Sequence, residues 1–211
     1  MKIMLRGFVV ILILVAMAQQ STYAGTATHD AITYAFGVVY GNNWGFMYRT
    51  PPGWTYATCG AALQNTVITL WPKGQHSNPA TTVIYVTVAP RGQTGLSDFI
   101  RAEIARFKAD DPISAKSVFG RQTIISPTRR LIHIAHSAGN RDELIEYIQG
   151  RTAYFIAVLT SVSPAATSRY RAAFNAFLDS FTPVTFKCSG KICAAVEQAE
   201  HQNCGASIAA H

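Results

Sequence analysis

Residues 152–159 read Thr-Ala-Tyr-Phe-Ile-Ala-Val-Leu. Successive side chains of a strand point to opposite faces. Tyr154, Ile156 and Val158 therefore share one face, and Phe155, Ala157 and Leu159 share the other. Both faces are apolar, so this strand must be central in a sheet and covered on both sides. That requirement governs what the rest of the chain can build. The stretch from Arg121 to Thr160 supplies the strand's neighbours. Gln122–Ile125 is a strand ended by Ser126-Pro127, Arg130–His136 is a second, and Glu143–Ile148 is a third. Ser137–Asn140 and Gly150-Arg151 provide turns. The expected core is an antiparallel sheet covered by the rest of the chain.

The segments on either side fit that role. Ile32–Tyr40 and Gly45–Thr50 read as a hairpin around Gly41-Asn42-Asn43. Pro51-Pro52-Gly53 ends it, with Trp54 packed beneath the turn. Thr66–Trp71 and Thr82–Val88 are further strands; in the second, Ile84, Val86 and Val88 share a face. One helix starts near Ser97 as N-cap, carries Leu96, Ile100, Ile104 and Phe107 as an apolar stripe, and ends at Asp110-Asp111-Pro112. Ser163-Pro164 opens another, striped by Tyr170, Phe174, Phe177 and Phe181 and stopped by Thr182-Pro183. A length of 211 residues suits one domain.

Lys2 and Arg6 precede the apolar run Phe8–Ala18, and small residues follow at Thr22-Tyr23-Ala24. This is the pattern of a signal peptide over residues 1–24, cleaved between Ala24 and Gly25. The run is about 11 residues, short of the ~20 that span a bilayer. Export to the periplasm is expected, with secretion as the alternative and no stable membrane insertion after cleavage. Cleavage removes two bases and no acid, taking the formal net charge from +7 to +5. The bases are scattered; Arg129-Arg130, the one adjacent pair, suits a solvated strand end, and no nucleic-acid partner is expected.

Cys59, Cys188, Cys193 and Cys204 form an even set in an exported chain, which predicts two disulfides. Residues 191–203 read as helical, placing Cys193 and Cys204 about 16 Å apart at 1.5 Å per residue. A disulfide needs Cα atoms within about 7 Å. Two pairings remain: 188–193 with 59–204, or 188–204 with 59–193. The first is favoured because a short gap closes easily. Either ties the cysteine-bearing tail, 185–211, to the domain at 25–184.

The order hairpin, strands, helix, meander, helix is joined by three segments: YRTPPGW at Tyr48–Trp54, FIRAEIARF at Phe99–Phe107 and RYRAAFNAFLDSFTP at Arg169–Pro183. Together they resemble the Mog1/PsbP-like family over roughly residues 32–184. The resemblance implies an α+β fold, an α/β/α sandwich with a central antiparallel sheet. That fold serves photosystem II extrinsic proteins, a nuclear-transport factor, secretion chaperones and periplasmic immunity proteins, so it implies little about function. The cysteine-bearing tail departs from the family pattern.

Catalytic patterns are weak. His133 and His136 fall on opposite faces of a strand, as do Glu143 and Glu146. His201 with Cys204 would suit zinc only as a free thiol. Gly95-Leu96-Ser97-Asp98-Phe99 lacks the last glycine of a nucleophile elbow, and Cys59 is better used in a disulfide. No catalytic residue, metal or cofactor is expected. The sequence points to a non-enzymatic module that binds another protein, with a toxin-blocking immunity protein as one form. The alternatives are an accessory subunit of an envelope or photosynthetic complex, and a hydrolase with an unrecognised site. The candidate contact is Asn42-Asn43-Trp44, where an aromatic residue in a hairpin loop would be either a recognition anchor or part of the core. Gln75–Pro79 is a second exposed loop.

Overall fold

The computed structural model describes residues 36–41, 43–57, 66–75, 81–110, 117–135 and 141–185. The expected leader with its Ala24–Gly25 junction, the four cysteines, Asn42, His136 and His201 lie outside them. In chain order the strands are β1 (Phe36–Tyr40), β2 (Gly45–Arg49), β3 (Trp54–Ala57), β4 (Ile68–Pro72) and β5 (Thr82–Pro90). Helix α1 (Leu96–Asp110) follows, then β6 (Val118–Phe119), β7 (Thr123–Ser126), β8 (Arg129–Ala135), β9 (Asp142–Gln149) and β10 (Ala153–Ser161). Helix α2 (Pro164–Ser180) and β11 (Thr182–Val184) complete the described elements.

Strand β10 lies inside an eight-stranded antiparallel sheet, ordered β3-β4-β5-β10-β9-β8-β6, with β7 also paired to β8. It pairs with β5 along one edge and β9 along the other. Its two apolar faces feed two separate cores. Phe155, Ala157 and Leu159 join Phe174, Phe177 and Leu178 of α2. Tyr154 and Val158 join Leu96 and Ile100 of α1. The architecture is α+β: one helix on each side of a central antiparallel sheet, as the alternation in residues 152–159 requires.

The hairpin β1–β2 forms a sheet of its own, completed by β11 on the far edge of β2. This small sheet shares the α2 side of the molecule, where Phe46 stacks on Phe181 at 4.5 Å and meets Phe155 edge-on at 5.6 Å. Strand β11 was not expected. Pro183 stops α2, yet it also sits in an edge strand, where the missing N–H costs no ladder bond on the open side.

Local chemistry sets the ends of the elements. Ser163 caps α2, its hydroxyl accepting from the Ala166 N–H at 3.2 Å, and Pro164 takes the first turn. Ser97 is expected to cap α1 but lies inside it; the Phe99 N–H donates to the Gly95 carbonyl at 3.0 Å, so the helix begins two residues earlier. Gly53 at φ +75° makes the turn after Pro51-Pro52. Trp54 closes that turn, its N–H donating to the Pro51 carbonyl at 3.1 Å. It opens β3, buried, with its ring edge-on to Tyr170 of α2 at 5.5 Å.

Candidate interaction surface

The far side of β8 carries β6 and β7, which are two pieces of one interrupted edge strand. Val118 faces Ala135 and Phe119 faces Ile134. The Gly120 N–H donates to the His133 carbonyl at 2.8 Å in the same register. Continuing that register would place Gln122 opposite Leu131, but Thr123 stands there. One extra residue has entered, and a second irregularity follows between Ile124 and Ser126. Extra residues bend an edge strand and re-aim its side chains. Gly120 fits the first bulge because a Cβ there would stand 3.0 Å from the His133 carbonyl oxygen.

The outcome is an exposed apolar margin. Ile124 is 71% exposed, Val118 63% and Ile125 48%. Ile124 lies across from Arg130, whose guanidinium bends back over the end of β7 to donate to the Ser126 and Arg129 carbonyls. Arg121 is exposed at the other end of β7. The Arg129-Arg130 pair is thus not a plain solvated strand end. Arg129 turns inward to the carboxylate of Glu146 and also donates to the Leu178 carbonyl at 3.4 Å. Burial raises the Glu146 carboxyl above its usual value, and the Arg129 hydrogen bond and charge oppose that rise.

A second feature lies under α1. A cleft of about 140 Å³ opens between the helix and the sheet, lined among others by Tyr85, Glu103, Arg106, Phe119, Glu143 and Tyr147. Glu103 and Arg106 pair at 2.8 Å. Burial pushes both tyrosines far above their usual range, Tyr85 also through Glu143 and Tyr147 through Glu103.

The structure separates the residues singled out in the sequence. Trp44 is not a protruding anchor: it is 8% exposed and lies edge-on to Phe155 at 6.2 Å. A Cβ at Gly41 would stand 2.6 Å from its indole. Asn43 is exposed, but its carbonyl accepts from the Thr152 hydroxyl, which holds the loop against the β9–β10 turn. The signal was available, because Trp44, Phe46 and Tyr48 are in phase at a period of two. Glu143 and Glu146 do face opposite ways, the first into the cleft and the second toward Arg129. His133 lies 2.6 Å from Asp142 through Nε2, an ion pair when the imidazole is protonated. Among the described residues no group of three or more His, Cys, Asp or Glu could hold a metal ion. No described helix is long and apolar enough to cross a membrane.

The described elements are layered with one helix on each side of the antiparallel sheet. No family model matches the sequence, and no curated protein matches it. Among solved structures the chain is similar to cyanobacterial PsbP (CyanoP) from Synechocystis sp. PCC 6803, determined in solution. The two are 10% identical over 75% of this chain and 98% of that one, with a TM-score of 0.46.

Proposed function

We propose that this chain is an exported, non-enzymatic module that acts by binding another protein. The observation that carries the proposal is the margin at Val118, Ile124 and Ile125: three exposed apolar side chains at a sheet edge. Exposed apolar side chains at an open sheet edge mark a contact site or a liability. Two bulges limit it to a short strand, which favours contact over indiscriminate pairing. Such a module can be a free inhibitor of its partner, as an immunity protein is, or an accessory subunit of an envelope complex.

Photo-crosslinkers placed singly at Ile124, at Asn43 and at Gln93, an exposed residue of the loop between β5 and α1, in the full chain in the cell that makes it, test the proposal. A discrete protein adduct is expected. Recovery of uncrosslinked monomer from all three positions would overturn protein binding. A soluble partner supports the inhibitor form, and a membrane-complex subunit the accessory form. The same purified protein tests the proposals about residues outside the described set. Its N-terminus should be Gly25, and a non-reducing peptide map should join Cys188 to Cys193 and Cys59 to Cys204. A free Cys59 or Cys204 would remove that pairing.

A further inference from the structure

We propose that the β6–β7 margin takes up an extended, acidic–apolar segment of a partner protein as an added strand. This rests on the protein-binding proposal and deepens it by naming the surface, the mode and the partner's chemistry. Strand β7 is paired with β8 on one side, and no described strand pairs with its other side. An extended peptide can complete such an edge through its own main chain, with side-chain pockets giving selectivity.

Charge selects the occupant. Residues 117–135 contain Arg121, Arg129 and Arg130 and no Asp or Glu. Glu146 answers Arg129. Among the described residues neither Arg121 nor Arg130 meets a carboxylate. The two guanidinium groups bracket β7: Arg121 precedes it, and Arg130 folds over its end at Ser126. Between them stand Ile124 and Ile125. Two extra residues lie between them, so the stretch from Arg121 to Ser126 spans only about three residues of β8, roughly 10 Å along the sheet. A matching segment has an apolar pair at its centre and a carboxylate on each side of it, about three residues apart.

The same charges argue against a second copy of this chain. Antiparallel β7–β7 pairing would bring Arg121 of one copy against the Arg130 end of the other, cation to cation. A lipid surface would satisfy the arginines, but it offers no main chain to the open edge.

The probe is a fluorescein-labelled ten-residue peptide with an Ile-Val centre and two glutamates about three residues apart, one on each side of it, titrated by anisotropy into the full chain. Saturable binding is expected, weakened about tenfold or more in Arg121→Glu/Arg130→Glu protein, where two attractions become repulsions. Arg121→Glu alone, on an exposed residue, serves if the double variant does not fold. Two further peptides carry N-methyl groups on alternate amides, one set each. Only the set facing β7 should abolish binding, because only those N–H groups pair with the edge. Four outcomes would overturn the proposal: no binding, equal binding of the lysine-for-glutamate peptide, indifference to both methylation sets, or Arg121-dependent binding to anionic vesicles alone. Dimerisation lost on Ile124→Lys would overturn it in favour of self-pairing. A cellular adduct at Asn43 or Gln93 but not at Ile124 removes this surface and leaves protein binding standing. No adduct at any position removes both.

Discussion

The two faces of the eight-stranded sheet are covered differently. On the α2 side the cover is double, a helix and a three-stranded sheet, and the space between is filled with rings. Phe46, Tyr48, Phe155, Phe174 and Phe177 are all essentially fully buried there. On the α1 side, among the described residues, one helix does the covering. Phe99 stacks on Tyr154 at 4.1 Å, and the Tyr154 hydroxyl donates to the Thr94 carbonyl. Beyond that stack the cleft with Glu103 and Glu143 opens between helix and sheet, and Phe107 still meets Phe119 of β6 edge-on at 5.8 Å. Buried acids occur on both faces. On the α2 side Glu146 and Asp142 each meet a base, Arg129 and His133. On the α1 side Glu143 lies among Tyr85 and Tyr147 and raises both phenols. Two covering layers give a closed aromatic core; one helix of finite length leaves a polar cleft and, further out, an open edge.

The sharpest test of that contrast is truncation of one ring on each side. Phe155→Ala should cost about 3–5 kcal/mol in urea denaturation, the range for large core aromatics. Phe99→Ala, on a half-buried ring, should cost clearly less. Equal losses would break the comparison.

Next in size is Arg129→Met. It leaves the Glu146 carboxylate buried beside an apolar chain and should cost about 2–4 kcal/mol at neutral pH, discounted from fully buried pairs because Arg129 keeps some solvent. The cost depends on pH in a definite sense. The Glu146 carboxyl is raised above its usual 4.5 in the folded chain. The stability linked to its protonated form is therefore complete below 4.5 and lost as pH rises through the folded value. Removing Arg129 raises that value further. The Arg129→Met penalty should shrink as pH falls, and adding Glu146→Gln should remove its pH dependence. A penalty constant from pH 4 to 8 would contradict this account.

Gly37→Ala comes third. A Cβ there would stand 2.3 Å from the Tyr48 ring, which is fully buried. Overpacking of this kind costs about 1–3 kcal/mol. The midpoint of thermal unfolding should drop, and a neutral result would mean that the small sheet is less tightly docked than its rings suggest. The smallest effect is expected at the open edge. Ile124→Lys should change stability by less than about 0.5 kcal/mol, as exposed substitutions do. A large loss there would place Ile124 in a core and end its role as a contact residue.

Much of the fold was legible because it depends on period and punctuation. Strands β5, β8 and β10 set apolar residues in phase at a period of two, and the stripes of α1 and α2 fall at three- and four-residue spacings. The missed pieces are short. Strand β6 is only two residues and β11 three, too few for a period to show. Pro183 also reads as a stop, because sequence does not say which edge of a strand will face solvent. The surface was harder to see. Ile124 and Ile125 look like ordinary strand interior, and only the register against β8 leaves them exposed. Trp44 looks like a loop aromatic, and only the docking of its hairpin against the β9–β10 turn puts it inside.

The sequence alone determined that the strand at residues 152–159 would be central, that a helix would cover each face, and that Ser163-Pro164 would open α2. These follow from local rules: alternation in strands, apolar stripes on helices and capping chemistry. Tertiary structure alone decided that the first hairpin would leave the main sheet and seal its α2 side, that Glu146 would meet Arg129, and that two extra residues would turn β6–β7 into an exposed, cation-bracketed edge. Each of those depends on which strands pair and in what register. Register is settled by contacts between residues far apart in the chain, which no local pattern records.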